Sequence, residues 1–136
     1  MKKWMSAGSL TAGAELSGEA VACALKNVPG ALIFRGKCED RLPQLNHVVA
    51  EHKDMIKLLY VNPPRTGLEP KVLQWITESY QPVRMAYLSC SAGTLARDLD
   101  FLCATGYAVK KIIPYDFFPQ TIHVECLALL LRIPED

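Results

Sequence analysis

Short apolar runs alternate with helix-like stretches along this chain, and that alternation limits the fold more than any other feature. "ALIFRG" (31–36), "IKLLYV" (56–61), "RMAYLS" (84–89) and "YAVKKIIPYDFF" (107–118) read as strands. Helical stretches alternate with them: "EAVACALKN" (19–27), stopped by Pro29-Gly30, precedes the first, and "LPQLNHVVAEHK" (42–53) follows it. Two further helical stretches follow: "PKVLQWITESY" (70–80), with Pro70 in a first-turn position, and "GTLARDLDFLCATG" (93–106), closed by Gly106. Leu10 to Leu16 reads as a weak strand, after which Ser17 and Glu19 mark a helix start. "IKLLYV" is a near-continuous apolar run, the pattern of a strand covered on both faces. The last run, "HVECLALLLRI" (123–133), is long and apolar enough to be a central strand. Strands separated by helices predict an α/β domain with a mostly parallel sheet, here one domain over residues 1–136. In such sheets ligands bind outside the carboxyl ends of the strands.

The bulk numbers narrow the class further. Half of the 136 residues are hydrophobic, so the chain can bury a core. A formal charge of +1 counts mildly against a self-sufficient nucleic-acid binder. The five cysteines (23, 38, 90, 103 and 126) are odd in number and form no C-x-x-C pair. That fits reduced thiols in a cytoplasmic setting, with no metal site. No apolar stretch is long enough to span a membrane, and none is expected as a partner.

Three segments could carry chemistry. In "YLSCSAGTLARD" (87–98) a thiol follows a strand, and a helix starts just beyond it. Free cysteine often only fills space, a reading that suits Cys23, Cys103 and Cys126 within their apolar patterns. Cys90 borders a turn, where the opening amides of the next helix could stabilise a thiolate. Filler and nucleophile stay about equally open on position alone. "NPPR" (62–65) follows an apolar run, and its two prolines stiffen the loop and free its carbonyls. It reads as a loop breaker, or as a rigid lip for a planar substrate with Asn62 offering donor and acceptor. "DFFPQTIHVE" (116–125) precedes the last strand, and on a strand His123 and Glu125 point to one face. A carboxylate entering an apolar strand suits proton exchange, although H-x-E alone also fits a solvated strand start.

Taken together, these segments resemble the catalytic half of the RNA uracil-5-methyltransferases. That family's versions are D-P-P-R, Y-x-S-C-N-P-x-T-L-A-R-D and D-x-F-P-x-T-x-H-x-E. The resemblance runs from about Leu10 to Ile133 and includes "GAELSGEAVACALKN" (13–27), similar to the family's second cofactor segment. It implies a Rossmann-like class I methyltransferase fold, S-adenosyl-L-methionine as cofactor, and uridine in transfer or ribosomal RNA as substrate. It further implies Cys90 as the nucleophile at uracil carbon 6 and Glu125 as the base that takes the carbon 5 proton. Glu15 and Asn62 then contact the cofactor, while Pro63, Arg65 and His123 contact the substrate.

The chain departs from the pattern in several places. Asn62 stands where the family has Asp, and Ser91-Ala92 where it has Asn-Pro. Lys37-Cys38 lies where a small polar or acidic residue would meet the adenine. The first strand and its glycine-rich cradle have no full counterpart, only "SAGSLT" (6–11). The sheet is therefore expected to lack its first strand and be divided, as in a truncated piece or degenerate relative. From this follow weak cofactor binding and self-association, or completion by another chain, through a bare strand edge. The rival reading is a non-catalytic methyltransferase-like module used for binding or assembly.

Overall fold

The opening residues form a short helix that no sequence pattern announces, α1 (Lys2–Ser6). The structure is a computed structural model describing every residue except His123, Glu135 and Asp136. Strand β1 (Ala12–Glu15) runs parallel to β2 (Leu32–Arg35), with α2 (Gly18–Asn27) between them. Ser17 caps α2, its Oγ accepting from the Ala20 amide at 3.3 Å. Helix α3 (Cys38–Glu51) begins well before the expected Leu42, which leaves Pro43 inside its first turns. As the sixth residue of the helix Pro43 lies past the unpaired opening amides, so the Glu39 carbonyl, four residues earlier, loses its usual backbone donor. These elements make one compact unit, Met1–Asp54, and Met55–Asp136 makes a second.

The second unit begins with β3 (Leu58–Val61). Helix α4 (Pro70–Gln74) has Pro70 at its start and widens into a π-helical turn, Trp75–Tyr80. There the Thr77 hydroxyl donates to the Leu73 and Gln74 carbonyls, and Gln81 ends the turn at φ 50°. Stacked against Trp75, Tyr80 sends its hydroxyl to the Leu58 carbonyl at 2.9 Å. Strand β4 (Arg84–Ser89), α5 (Ala92–Ala104), β5 (Tyr107–Tyr115) and β6 (Glu125–Arg132) complete the unit.

The strands fall into two hydrogen-bonded sets, β1–β2 and β3–β4–β6–β5, as a divided sheet requires. Parallel pairing covers β1–β2 and β3–β4, whereas β6 is antiparallel to both β4 and β5. The antiparallel share follows from the link between β5 and β6, residues 116–124, which is too short for a parallel crossover. β6 is central, as its apolar length predicts. The expectation that "IKLLYV" is covered on both faces is corrected: β3 is an edge strand, and Leu58 and Tyr60 remain nearly half exposed. Its continuous apolar run reflects no second covering layer.

On β4 burial alternates strictly, with Met85, Tyr87 and Ser89 buried and their neighbours less so. Met85, Tyr87, Ala128 and Leu130 make one face of the sheet's core. Leu95, Leu99 and Leu102 of α5 and Val72, Leu73 and Ile76 around α4 supply its helical side.

Candidate active site on the second sheet

Strands β3 and β4 end, β5 ends and β6 begins at one edge of the four-stranded sheet. Ser89 pairs with Cys126, so the antiparallel register continued by one residue sets Cys90 opposite Glu125. On its other side Glu125 pairs with Tyr115. Directly opposed residues share a face, which puts Tyr115, Glu125 and Cys90 in a row across three strands, with neighbouring strands about 4.8 Å apart. Cys90 and Glu125 are both half-buried. The carboxylate's field reaches β3: the Tyr60 phenol is pushed above its ordinary range, first by partial burial and then by the Glu125 charge.

The turn around Cys90 is closed by its neighbours. Ser89 Oγ accepts from the Ser91 amide at 3.1 Å and donates to the Ser91 carbonyl at 3.0 Å. Because Ser89 sits on the buried face, Cys90 falls on the opposite one.

A second network fixes the "NPPRTG" loop. Asp98 of α5 is fully buried; its Oδ2 accepts from the Leu68 amide at 2.8 Å and the Tyr87 hydroxyl at 2.7 Å. Its Oδ1 accepts from Arg97 Nε at 2.9 Å and Nη2 at 2.7 Å. Arg97 Nη2 also donates to the Thr66 carbonyl at 3.0 Å, and the Thr94 hydroxyl to the Arg65 carbonyl at 3.0 Å. Gly67, at φ +80°, lets the loop approach this closely: a Cβ there would lie 2.6 Å from both Arg97 Nη2 and Asp98 Oδ2. Burial, then the hydrogen bond to Asp98 and its charge, raises the Tyr87 phenol well above its ordinary value. Sequence reading assigns no role to Thr94, Arg97, Asp98 and Tyr87. Their signal is present, since Thr94, Arg97 and Asp98 stand at i, i+3 and i+4, one side of a helix. An open groove of about 470 Å³, lined in part by Thr66, Leu68, Leu73, Arg97 and Phe101, lies beside this network and includes no predicted site residue.

Asn62 is exposed just past β3, Pro63 is half-buried and Arg65 exposed. The second sheet thus brings Asn62, Cys90 and Glu125 to one edge, with Pro63 and Arg65 in the adjoining loop. Glu15 belongs to the first unit, at the end of β1. Its exposed carboxylate accepts from the Ser17 amide at 2.7 Å through Oε1. A carboxylate oriented in this way can still accept from hydroxyls through Oε2, which fits a sugar-binding role. The predicted His123 lies outside the described residues. The space-filling reading of Cys23 and Cys103 is corrected, because both are exposed on the outer sides of α2 and α5; Cys126 is half-buried. Among the described residues no group of His, Cys, Asp and Glu could hold a metal ion. Nor is any described helix long and apolar enough to cross a membrane.

Comparison with known proteins bears on the same segments. The family model of the tRNA (uracil-5-)-methyltransferases matches residues 40–133. An uncharacterized RNA methyltransferase of Protochlamydia amoebophila is 36% identical over 133 residues, covering 94% of this chain and 30% of that protein. One of Enterococcus faecalis is 39% identical over 108 residues, covering 79% of this chain and 22% of its own length. The chain therefore spans under a third of these relatives. The crystal structure of the Pyrococcus abyssi tRNA (uracil-54, C5)-methyltransferase in complex with S-adenosyl-L-homocysteine superposes with a TM-score of 0.71. It is 24% identical, over 96% of this chain and 30% of that one, a likeness that shows the class I methyltransferase fold.

Proposed function

The chain belongs to the tRNA (uracil-5-)-methyltransferase family, and we propose that it carries the part of such an enzyme that methylates uridine carbon 5 in RNA. In this reading S-adenosyl-L-methionine, when bound, supplies an electrophilic methyl group on a sulfonium. Glu15, at the end of β1, would accept hydrogen bonds from its ribose hydroxyls.

Uracil carbon 5 is a poor nucleophile until carbon 6 is saturated. The Cys90 thiolate adds to carbon 6: the sulfur–carbon bond forms, the C5=C6 π bond opens, and the electron pair moves onto the carbonyl oxygen as an enolate. The enolate makes carbon 5 able to take a methyl group. Carbon 5 then bears both that methyl group and its original proton. The Glu125 carboxylate removes the proton, the electrons left behind restore C5=C6, and the sulfur–carbon bond breaks to return the thiolate. Pro63 and Arg65 form the lip against which the base lies, held by Thr94, Arg97 and Asp98. A uridine must leave its stack to reach this edge, which favours single-stranded or flipped RNA.

The observation that supports this reading is the register of β4 against β6, which pairs Ser89 with Cys126 and, continued by one residue, would set Cys90 opposite Glu125. Its test is an RNA containing 5-fluorouridine, incubated with the chain and cofactor. Fluorine cannot leave as a proton does, so the adduct should persist on a denaturing gel. The band should vanish in Cys90→Ala and remain in Cys103→Ala. With ordinary RNA, Glu125→Gln should accumulate a methylated adduct. Trapping that survives without Cys90 would overturn the assignment.

A further inference from the structure

The segment after β5 leaves the sheet with its aromatic side chains outward. Tyr115 and Phe117 stack, ring centroids 5.4 Å apart and planes 11° from parallel. Phe117 nevertheless keeps 58% of its surface exposed and Tyr115 37%. One ring face of Phe117 is therefore against Tyr115, and more than half of the residue's surface still meets solvent. Tyr115 is the register partner of Glu125, so this stack stands beside the row that holds Glu125 and Cys90. On β5 the face that carries Tyr115 also carries the exposed Lys111, a cation within a few residues of the ring pair.

We infer that Phe117, backed by Tyr115, is a stacking platform for an unpaired nucleobase flanking the target uridine. The inference rests on the RNA reading above and deepens it. A flat, solvent-facing ring already seated on a parallel ring offers the surface on which a base adds a further layer, and every base has such a face. Exposed Lys110 and Lys111 along the same strand favour an occupant with phosphates over an apolar protein surface. The platform also holds the chain of the RNA near Glu125 without reading its sequence, since stacking is tolerant of base identity.

The test uses the full chain, S-adenosyl-L-methionine and a single-stranded RNA hexamer with one 5-fluorouridine flanked on each side by 2-aminopurine. Fluorescence reports stacking and affinity, and denaturing gels report the Cys90 adduct separately. Phe117→Leu keeps an apolar side chain without a ring and should weaken hexamer binding about 5- to 100-fold, with loss of 2-aminopurine quenching. Phe117→Trp should restore both. If the wild-type chain traps the RNA but Phe117→Leu binds it as tightly, the platform is overturned and the methylation reading stands. If quenching depends on Phe117 but no adduct forms, the platform stands and the covalent reading fails. A wild-type chain that does not bind the hexamer overturns the platform. So does a Phe117→Leu change that alters only the sedimentation of the chain with itself, since the surface is then a contact between copies.

Discussion

On one face of the four-stranded sheet, Met85, Tyr87, Ala128 and Leu130 keep no more than 2% of their surface exposed. On the other, Leu58, Tyr60 and Leu131 keep 44%, 47% and 36%. Both faces are apolar, and the same strands supply them. The closed face is where the unit is held together: α5 lies over it, and Asp98 reaches Tyr87 there. The open face carries Glu125 and, by continued register, Cys90. Stability and proposed chemistry are thus separated by the pleat, one residue apart at Ser89 and Cys90. A register slip of one residue would exchange them.

The largest expected effect that bears on this contrast is on the closed face. Asp98→Ala should leave the Leu68 amide and the Tyr87 hydroxyl buried without their acceptor, at about 1–3 kcal/mol each. It should also free the loop that carries Asn62 to Arg65, so chemical denaturation and proteolysis within 62–68 should both respond. Leu130→Ala should cost about 2–5 kcal/mol, most of it from the cavity left behind. A denaturation midpoint unchanged in either variant would erase the distinction between the faces.

The next effect is on pH. Burial raises Tyr87 and pushes Tyr107 up to about 12, so in both the folded state favours the neutral phenol. The stability this contributes is complete below the unfolded phenol value of about 10 and is lost as pH rises through the folded values. Thermal melts should fall steeply above roughly pH 10. The two phenols differ in one respect: Tyr87 donates to Asp98, whereas the buried Tyr107 hydroxyl has no hydrogen-bond partner among the described residues. Tyr107→Phe should therefore be neutral or slightly stabilising near neutral pH and should reduce the alkaline loss, while Tyr87→Phe should cost about 1.5–3 kcal/mol.

The smallest effect is on the open face. Leu58→Lys should change stability by about 1 kcal/mol or less, because the side chain is only half removed from water. Strand β3 has no charge, proline or bulge along Leu58–Val61, whereas the opposite edge, β5, has a bulge between Val109 and Lys111, two lysines and Pro114. Edges that are meant to stay single carry such features. We therefore expect the chain to self-associate through β3, and Leu58→Lys to shift sedimentation toward the monomer with little change in melting.

The sequence by itself determined the alternation of strands and helices from β1 onward and the α/β class, because these depend on local periodicity, proline and glycine. It also offered Cys90 and Glu125 as candidates, through motifs whose residues lie close together in the chain. Only the tertiary structure decided which face of each strand is covered. Leu58 and Tyr60 look as apolar as Met85 and Tyr87, and burial depends on what packs from distant parts of the chain. The direction of β6 was legible in principle from the short link 116–124, yet alternation reads the same in either direction. The Asp98 network joins residues about thirty positions apart, from Leu68 to Asp98, and no local pattern encodes a hydrogen bond of that reach. The placing of Cys90 opposite Glu125 is of the same kind: one follows the end of β4, the other opens β6, and only the pairing of these strands, continued by one residue, brings them side by side.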